Sequence, residues 1–261
     1  LLVLTRTDGT DPRRLSLGGS VAKPLYGLFG DVIELSAALR GDLYHYASHP
    51  IEGEEGGFDT GFDGRIYPLL SATWRLPLTR RHGTNITEIL EPAVAVFASP
   101  NMGNSSTIPN EDSIEQEFDE TNLFSSNKFT GLDRVESSTR ISYGLRWGVH
   151  GANGGSSSFF IGQRYRIRKD DSFPDGSGLE DHFSDIVARV RVRPSSNLAL
   201  AYKTRVDKED LSPRRTELNL TAGAPALNLR TNYVFFDRQE GSEFSGREEL
   251  SGQVTAKMSR M

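Results

Sequence analysis

The chain has 261 residues, of which 36% are hydrophobic and none is cysteine, and its formal net charge is −5. The lack of cysteine excludes a disulfide framework and a thiolate metal site, and a pI near 5.6 argues against nucleic acid as the partner. The mean hydropathy is −0.45, and no apolar run approaches the roughly 18 residues of a membrane helix, which excludes a helical membrane protein.

Apolar and polar residues alternate along the whole chain, which is the period of a β-strand. In residues 32–46, for example, Leu35, Leu39 and Leu43 share one face and Arg40 and Asp42 the other. The alternation predicts strands at residues 1–6, 14–22, 32–46, 65–78, 86–99, 140–149, 159–167, 186–193, 198–206, 216–222, 227–236 and 250–258. We therefore expect about twelve strands and no amphipathic helix.

Three prolines fall inside the predicted strands. Proline has no N–H to donate to a sheet ladder. We therefore expect Pro68, Pro77 and Pro92 to weaken strand pairing or to mark bulges.

Periodicity alone does not separate a soluble β-sandwich from a membrane β-barrel, whose spanning strands need only about ten tilted residues each. Two compositional features favour the barrel. Aromatic residues fall near strand ends, as interfacial girdles do, at Tyr44, Tyr46, Trp147, Phe159 and residues 233–236. The polar faces at residues 164–168 and 189–193 are rich in arginine, which suits a polar lumen lined with acidic partners.

The connections between predicted strands alternate in length. Short ones are expected at residues 79–85, 150–157, 194–197 and 223–225, and long ones at residues 47–64, 100–137, 169–183 and 237–247. Outer-membrane barrels have this pattern, with turns in the periplasm and loops outside the cell. The predicted fold is all-β, a large antiparallel transmembrane β-barrel, of which residues 1–261 form an internal fragment of about twelve strands within one outer-membrane domain.

Residues 100–137 show neither a helical nor a strand period. Their asparagines and serines favour turns, whereas Leu123, Phe124, Phe129 and Leu132 are too apolar for a freely solvated loop. Loops beyond about a dozen residues are uncommon unless they are functional. We therefore expect a long structured extracellular loop that folds inward on its own apolar cluster.

This stretch closely resembles the family of lipopolysaccharide-assembly outer-membrane proteins, the D component of the lipopolysaccharide transport machinery. The resemblance rests on Pro109, Asn110, Glu111, Asp112, Ser113, Asp119, Thr121, Asn122, Leu123, Phe124, Ser125, Asn127, Phe129, Gly131, Asp133, Arg134, Tyr143, Gly144, Leu145 and Arg146. Lys128 stands where the family pattern has arginine, and Ser137 and Ser138 stand where it has glycines. Shorter matches elsewhere extend the resemblance to most of the chain.

The resemblance implies a translocon component of the cell outer membrane that inserts lipopolysaccharide into the outer leaflet. It makes and breaks no bond, so it implies neither an enzyme nor a cofactor. The implied partners are lipopolysaccharide, outer-membrane lipid, an LptE-type lipoprotein plug and an LptA-type periplasmic bridge protein. The chain begins in the apolar segment Leu1 to Leu4 and ends at Met261 without a terminal aromatic strand. We expect a signal peptide and a periplasmic jellyroll domain to lie outside it.

The polar and aromatic residues of the family motif are the candidate site. We interpret them as loop-locking or lumen-facing residues: Asn110, Asp112, Asn122, Phe124, Asn127, Phe129, Asp133, Arg134 and Arg146. The acidic residues between 111 and 120 pair with lumen arginines or are solvated; the alternative is a divalent-cation site, for which Glu111, Asp112 and Asp119 are weak candidates. The five histidines show no metal-binding spacing.

Two other functions remain open at this point. A different outer-membrane barrel, such as a porin or a ligand-gated receptor, would use the same alternation for solute passage. A soluble β-sandwich or a glycan-active enzyme is the third hypothesis, but the neighbouring carboxylates of one loop fix no catalytic separation.

Overall fold

The computed structural model describes residues 1–4, 10–50, 58–101, 104–152, 154–170, 172–224, 226–238 and 246–256. The described residues form no helix, and so none that could cross a membrane. Their strands are β1 (Leu2–Val3), β2 (Asp11–Tyr26), β3 (Val32–Pro50), β4 (Phe58–Arg75), β5 (Leu78–His82), β6 (Ile86–Ala98), β7 (Arg140–Gly151), β8 (Ser156–Arg166), β9 (Ile186–Ser195), β10 (Leu198–Val206), β11 (Pro213–Ala224), β12 (Leu227–Phe236) and β13 (Arg247–Ala256).

These strands form one antiparallel sheet in which chain neighbours pair. Its order is β1-β2-β3-β4-β6-β7-β8-β9-β10-β11-β12-β13, and β5 pairs with β6. The predicted all-β antiparallel fold is therefore confirmed. The structure has one strand more than the twelve or so expected, because Leu78–His82, predicted as a strand end and a turn, forms the separate strand β5.

Two of the three prolines weaken strand pairing as predicted. Pro77 interrupts a strand, since it lies between β4 and β5. Pro92 pairs in register with Leu145 of β7, but on its other side the ladder to β4 ends at Ala93 and the ladder to β5 begins at Leu90. The expectation is wrong for Pro68, which pairs in register with Leu39 without a bulge. The carbonyl oxygen of Pro92 accepts the N–H of Leu76 at 3.1 Å. The hydrogen-bonding side of Pro92 therefore faces the break between β4 and β5, and its missing N–H leaves the ladder to β7 intact.

The two faces of the sheet have opposite chemistry. On the outer face, Leu39, Ile66 and Leu70 are 56%, 72% and 59% exposed. On the inner face, Arg140 and Arg164 are only 0% and 1% exposed. A soluble protein buries apolar side chains and leaves charged ones in water. The sheet is inverted relative to a soluble β-sandwich, as expected of a barrel wall whose outer residues meet lipid.

Two tyrosines do not lie where the girdle interpretation puts them. Tyr44 and Tyr46 are 2% and 5% exposed and occupy the same inner face as Asp42. The hydroxyl of Tyr44 accepts a hydrogen bond from Arg65 at 3.2 Å. Trp147 does lie on the outer face, because it pairs with Leu90 in the row of outward residues.

Residues 99–139, here called the inner loop, connect β6 to β7 and pack on the inner face. The described part of this loop contacts Arg14 on β2 and Arg215 on β11. In the sheet order, β2 and β11 are the first and last of nine consecutive strands. Strands lie about 4.8 Å apart, so nine strands would extend about 38 Å if the sheet were flat. One loop meets both because the sheet curves around it. The buried core lies between the loop and this wall and contains Phe118, Leu123, Phe129, Phe160, Phe173, Leu179 and Val187.

Candidate functional site

Two aspartates hold the inner loop to β2. Arg14 donates to Asp112 Oδ2 at 2.8 Å and to Asp133 Oδ1. Asp133 Oδ2 accepts the backbone N–H groups of Glu111 at 2.8 Å and Asp112 at 3.1 Å. Asp112 Oδ1 accepts those of Leu132 at 3.0 Å and Asp133 at 3.1 Å. Each aspartate therefore accepts hydrogen bonds from the backbone around the other, and Arg14 of the wall binds both carboxylates.

The surroundings keep Asp112 ionised. Partial burial acts to raise the pKa of Asp112, but hydrogen bonds from Arg14 and from backbone N–H groups lower it well below its usual value. The backbone approaches closely at Gly131, whose φ is +65° and whose substitution by any residue with a Cβ would place that atom 2.4 Å from the Asp112 carbonyl oxygen. Glycine is therefore required at this position.

Three amide side chains of the family motif bind loop backbone. Asn110 donates to Ser113 O at 2.9 Å, and Asn122 donates to Glu117 O at 2.8 Å. Asn127 accepts the N–H of Glu136 at 3.0 Å. These contacts suit side chains that close a loop; their assigned loop-locking role stays a prediction.

The aromatic residues of the motif pack against the wall and a neighbouring loop. Phe129 is 5% exposed and stacks on Phe173 with ring centroids 5.0 Å apart. Phe124 meets Phe160 of β8 edge-on at 6.4 Å. Both rings therefore make apolar contacts with their neighbours; Phe129 is buried and Phe124 is partly buried.

A buried charge cluster at Glu136 was not foreseen from the sequence. Glu136 is 0% exposed, and its Oε1 lies 2.5 Å from Arg164 Nη1, 2.7 Å from Arg166 Nη2 and 3.3 Å from Arg140 Nε. Burial alone would raise the pKa of Glu136, but the charges of Arg140 and Arg164 outweigh it and lower the pKa to about 2. One loop carboxylate thus gathers three wall arginines.

Lys128 lies beside this cluster. Its side chain is 0% exposed, donates to the carbonyl oxygen of Asn122 and lies 5.7 Å from the centroid of the Phe118 ring. Burial, followed by the charge of Arg164, lowers the pKa of Lys128 well below its usual value. The family arginine at this position would carry more donors and a charge that resists loss.

A second set of ion pairs joins the loop to β9, β10 and β11. Glu120 Oε1 lies 3.3 Å from Arg189 and 3.6 Å from Lys203. Glu117 Oε1 lies 3.5 Å from Arg205 and 3.6 Å from Arg215. Pairing with wall cations, the first alternative for the acidic residues of this loop, is therefore observed for Asp112, Glu117 and Glu120.

Two arginines of the candidate set lie apart from these networks. Arg134 donates its backbone N–H to Ser113 Oγ at 2.9 Å, and its side chain lines an open polar cavity of about 760 Å³. Arg146 pairs with Glu91 of β6 at 3.0 Å, and its side chain is 54% exposed. The structure therefore does not bring Arg146 to the inner loop.

The weak metal candidates are not gathered into a site. Within the described ranges, no group of three or more His, Cys, Asp or Glu side chains is placed to hold a metal ion. Asp119 instead accepts the N–H of Thr121 at 2.8 Å and that of Asn122 at 3.3 Å, as a local turn requires. Its carboxylate closes the backbone turn at residues 119–122.

Comparison with known proteins agrees with this architecture. The family model described as LPS transport system D (LptD) matches residues 2–260. The chain is similar to the LPS-assembly protein LptD of Cupriavidus necator, with 28% identity over 125 residues that cover 44% of this chain and 15% of that protein. It is 30% identical over 123 residues to the LPS-assembly protein LptD of Cupriavidus pinatubonensis, with the same two coverages of 44% and 15%. The matched part therefore spans about 15% of the length of these relatives. Because the family model matches nearly the whole chain, this chain belongs to the LptD family, LPS transport system D.

Proposed function

We propose that the protein containing this chain is the outer-membrane translocon component that inserts lipopolysaccharide into the outer leaflet. Residues 1–261 are then part of its one barrel domain. The observation that carries the proposal is the inverted sheet, with apolar side chains exposed outside and charged side chains held inside. Membership of the LptD family and the name of the two relatives, LPS-assembly protein LptD, support the same conclusion.

The physical task matches the two faces. Lipopolysaccharide joins acyl chains to a charged saccharide, so it needs an apolar path for one part and a polar path for the other. The outer face of this sheet is suited to acyl chains and the inner face to sugars and anions. Such a transfer makes and breaks no covalent bond, and the proposal assigns no catalytic residue and no cofactor.

The proposal places the inner loop on the extracellular side. The described connections that share its rim include residues 167–185 between β8 and β9, whereas the opposite rim has the two-residue connection 196–197 between β9 and β10. Long loops outside and short turns in the periplasm are the rule for these barrels. Outer-membrane lipid, an LptE-type lipoprotein plug and an LptA-type periplasmic bridge protein are the proposed partners, on family membership alone.

Depletion of the full-length protein in its own cell tests the proposal. We expect newly made lipopolysaccharide to accumulate in the inner membrane or periplasm while unrelated outer-membrane barrels still assemble. A plasmid-borne wild-type copy is the matched control and should restore surface lipopolysaccharide. If surface lipopolysaccharide is unchanged on depletion, the proposal is wrong.

An ion-conductance measurement on the purified full-length protein distinguishes a translocon from a porin. The inner loop contacts wall residues from β2 to β11, so it obstructs the space that the curved sheet encloses. We therefore expect little ion conductance in planar bilayers. A steady conductance of the size measured for open porins in the same bilayers would favour the porin.

A further inference from the structure

The inner face of the sheet changes character one residue row beyond the inner loop. The last row that contacts the loop contains Arg189 and Lys203, both paired with Glu120. Two residues further along β9, toward the short turns, Arg191 lies in a row with Ser158, Ala201 and Asn219. Same-face residues two apart along a strand are separated by about 7 Å.

Among the residues that the structure describes, three arginines of this second region have no carboxylate partner. Arg191, Arg193 and Arg230 are exposed on the inner face, and among the described residues none of their guanidinium groups makes an ion pair or a hydrogen bond. By contrast, the loop-facing arginines of β2, β4, β7, β8, β10 and β11 all have a carboxylate within 4 Å, as Arg14, Arg65, Arg140, Arg164, Arg205 and Arg215 show. The cationic side chains here are thus available to a ligand.

Neutral side chains, both polar and apolar, surround these arginines. A cavity of about 430 Å³ is lined by Arg191, Arg193 and His150, by the hydroxyl and amide side chains of Ser156, Ser157, Ser158, Asn219 and Thr221, and by Val192, Ala199, Leu200 and Ala201, and none of these lining residues is acidic. Thr221 of this cavity pairs with Arg230 of β12, so the third arginine lies at its border. Hydroxyl and amide groups exchange hydrogen bonds with sugar hydroxyls, and arginine forks bind phosphate with two parallel bonds.

We propose that this basic wall, formed by Arg191, Arg193, Arg230, His150, Ser158 and Asn219, binds a phosphate-bearing saccharide. Two arginines about 7 Å apart on one strand face match a phosphate, which carries a charge of roughly −1.5 to −2 at neutral pH. The choice of a saccharide rests on the proposed function and on the uncharged hydrogen-bonding neighbours. The wall lies between the periplasmic rim and the inner loop, where a polar cargo enters first.

The test is binding of glucose 6-phosphate to the full-length protein in nanodiscs, followed by saturation-transfer difference NMR on the sugar protons. We expect saturable binding of glucose 6-phosphate, none of glucose at the same concentration, and competition by inorganic phosphate only at a tenfold or greater excess. The double variant R191Q/R193Q should weaken binding at least tenfold. The double variant R13Q/R80Q also removes two charges, but from outward-facing rows of β2 and β5, where Arg13 pairs with His45 and Arg80 with Glu88, and it should leave binding unchanged.

Three outcomes overturn the basic wall. These are unchanged binding in R191Q/R193Q, equal binding of glucose, or inorganic phosphate competing as well as glucose 6-phosphate, which would leave a simple anion site. Failure here is distinct from failure of the proposed function. If depletion blocks lipopolysaccharide transport but R191Q/R193Q binds glucose 6-phosphate normally, only the proposed binding site is wrong. If depletion leaves surface lipopolysaccharide unchanged while R191Q/R193Q loses binding, the binding site is supported and the translocon proposal is wrong.

Discussion

Replacing Glu136 by glutamine should release the inner loop from the wall. The change keeps the side-chain volume but removes the carboxylate that faces Arg140, Arg164 and Arg166. The pKa of Glu136 falls from 4.5 to about 2 in the folded protein. One pKa unit equals about 1.4 kcal/mol, so the surroundings, after the opposing effect of burial, favour the ionised group by roughly 3 kcal/mol. Removing one partner of a buried ion pair costs about 3–5 kcal/mol, which agrees.

Hydrogen exchange followed by mass spectrometry on the full-length protein in nanodiscs measures this effect locally. A loss of roughly 3 kcal/mol in the opening free energy of the loop makes its amides exchange roughly 100-fold faster at pH 7. The matched control is Glu91→Gln, which removes the carboxylate of an ion pair whose arginine is 54% exposed. This control should change exchange little, because exposed pairs contribute at most about 1 kcal/mol.

The pH dependence has a defined sign. Since the folded pKa of Glu136 is depressed, its stabilisation is fully present above pH 4.5 and disappears as the pH falls toward 2. The ratio of the loop exchange rate in E136Q to that in wild type should therefore decrease toward one as the pH falls below 4.5. Equal exchange of the two proteins at pH 7, or an equally large effect of E91Q, would refute the reasoning.

Three further predictions concern the inner loop. Gly131→Ala should lower the stability of the closed loop by more than the roughly 1 kcal/mol that left-handed backbone strain alone costs, because the new Cβ meets Asp112. Gly30→Ala is the control, since φ is +81° there and nothing lies within 4 Å of the added Cβ. Equal losses of stability in the two variants would contradict the packing argument. Ser138 has a φ of 74°, so Ser138→Gly should be more stable than Ser138→Ala by about 1 kcal/mol; the reverse order, measured by loop exchange, would contradict it. Burial, and then the charge of Glu117, raise the pKa of Glu115 to about 7. The wild-type loop should therefore lose stability between pH 5 and pH 8, and the loop of the Glu115→Gln variant should lose less. An equal loss of loop stability in the two proteins would count against this prediction.

The strands were predictable from the sequence because their alternation is set by the sheet itself. Which face points inward was not, since apolar residues alternate in the same way whether they meet a core or lipid. The placement of Tyr44 and Tyr46 could have been predicted, because they share the strand parity of Asp42 and Arg40. Proximity to a strand end misled the girdle interpretation.

The candidate site was predicted in part. The motif identified Asp112 and Asp133 as candidates. Their shared partner Arg14 lies 119 residues from Asp133 in the sequence, and no local sequence pattern predicts a contact over that separation. Glu136 was missed because its neighbours in sequence have no period and its arginines lie on β7 and β8. The alternating arginines at 164 and 166 were the available signal, since buried charges of one sign require a partner of the other.

The contacts of the inner loop also bear on how this sheet assembles. Arg14 precedes the loop in the chain, whereas Arg205 and Arg215 follow it. Contacts of such large sequence separation form late, because long chain closures must be paid for entropically before they form. Until β11 has paired, the loop lacks part of its ionic lining, so we expect protease cleavage within it to fall only when those strands are in place. Sensitivity of this one segment would then report whether a newly made wall is complete.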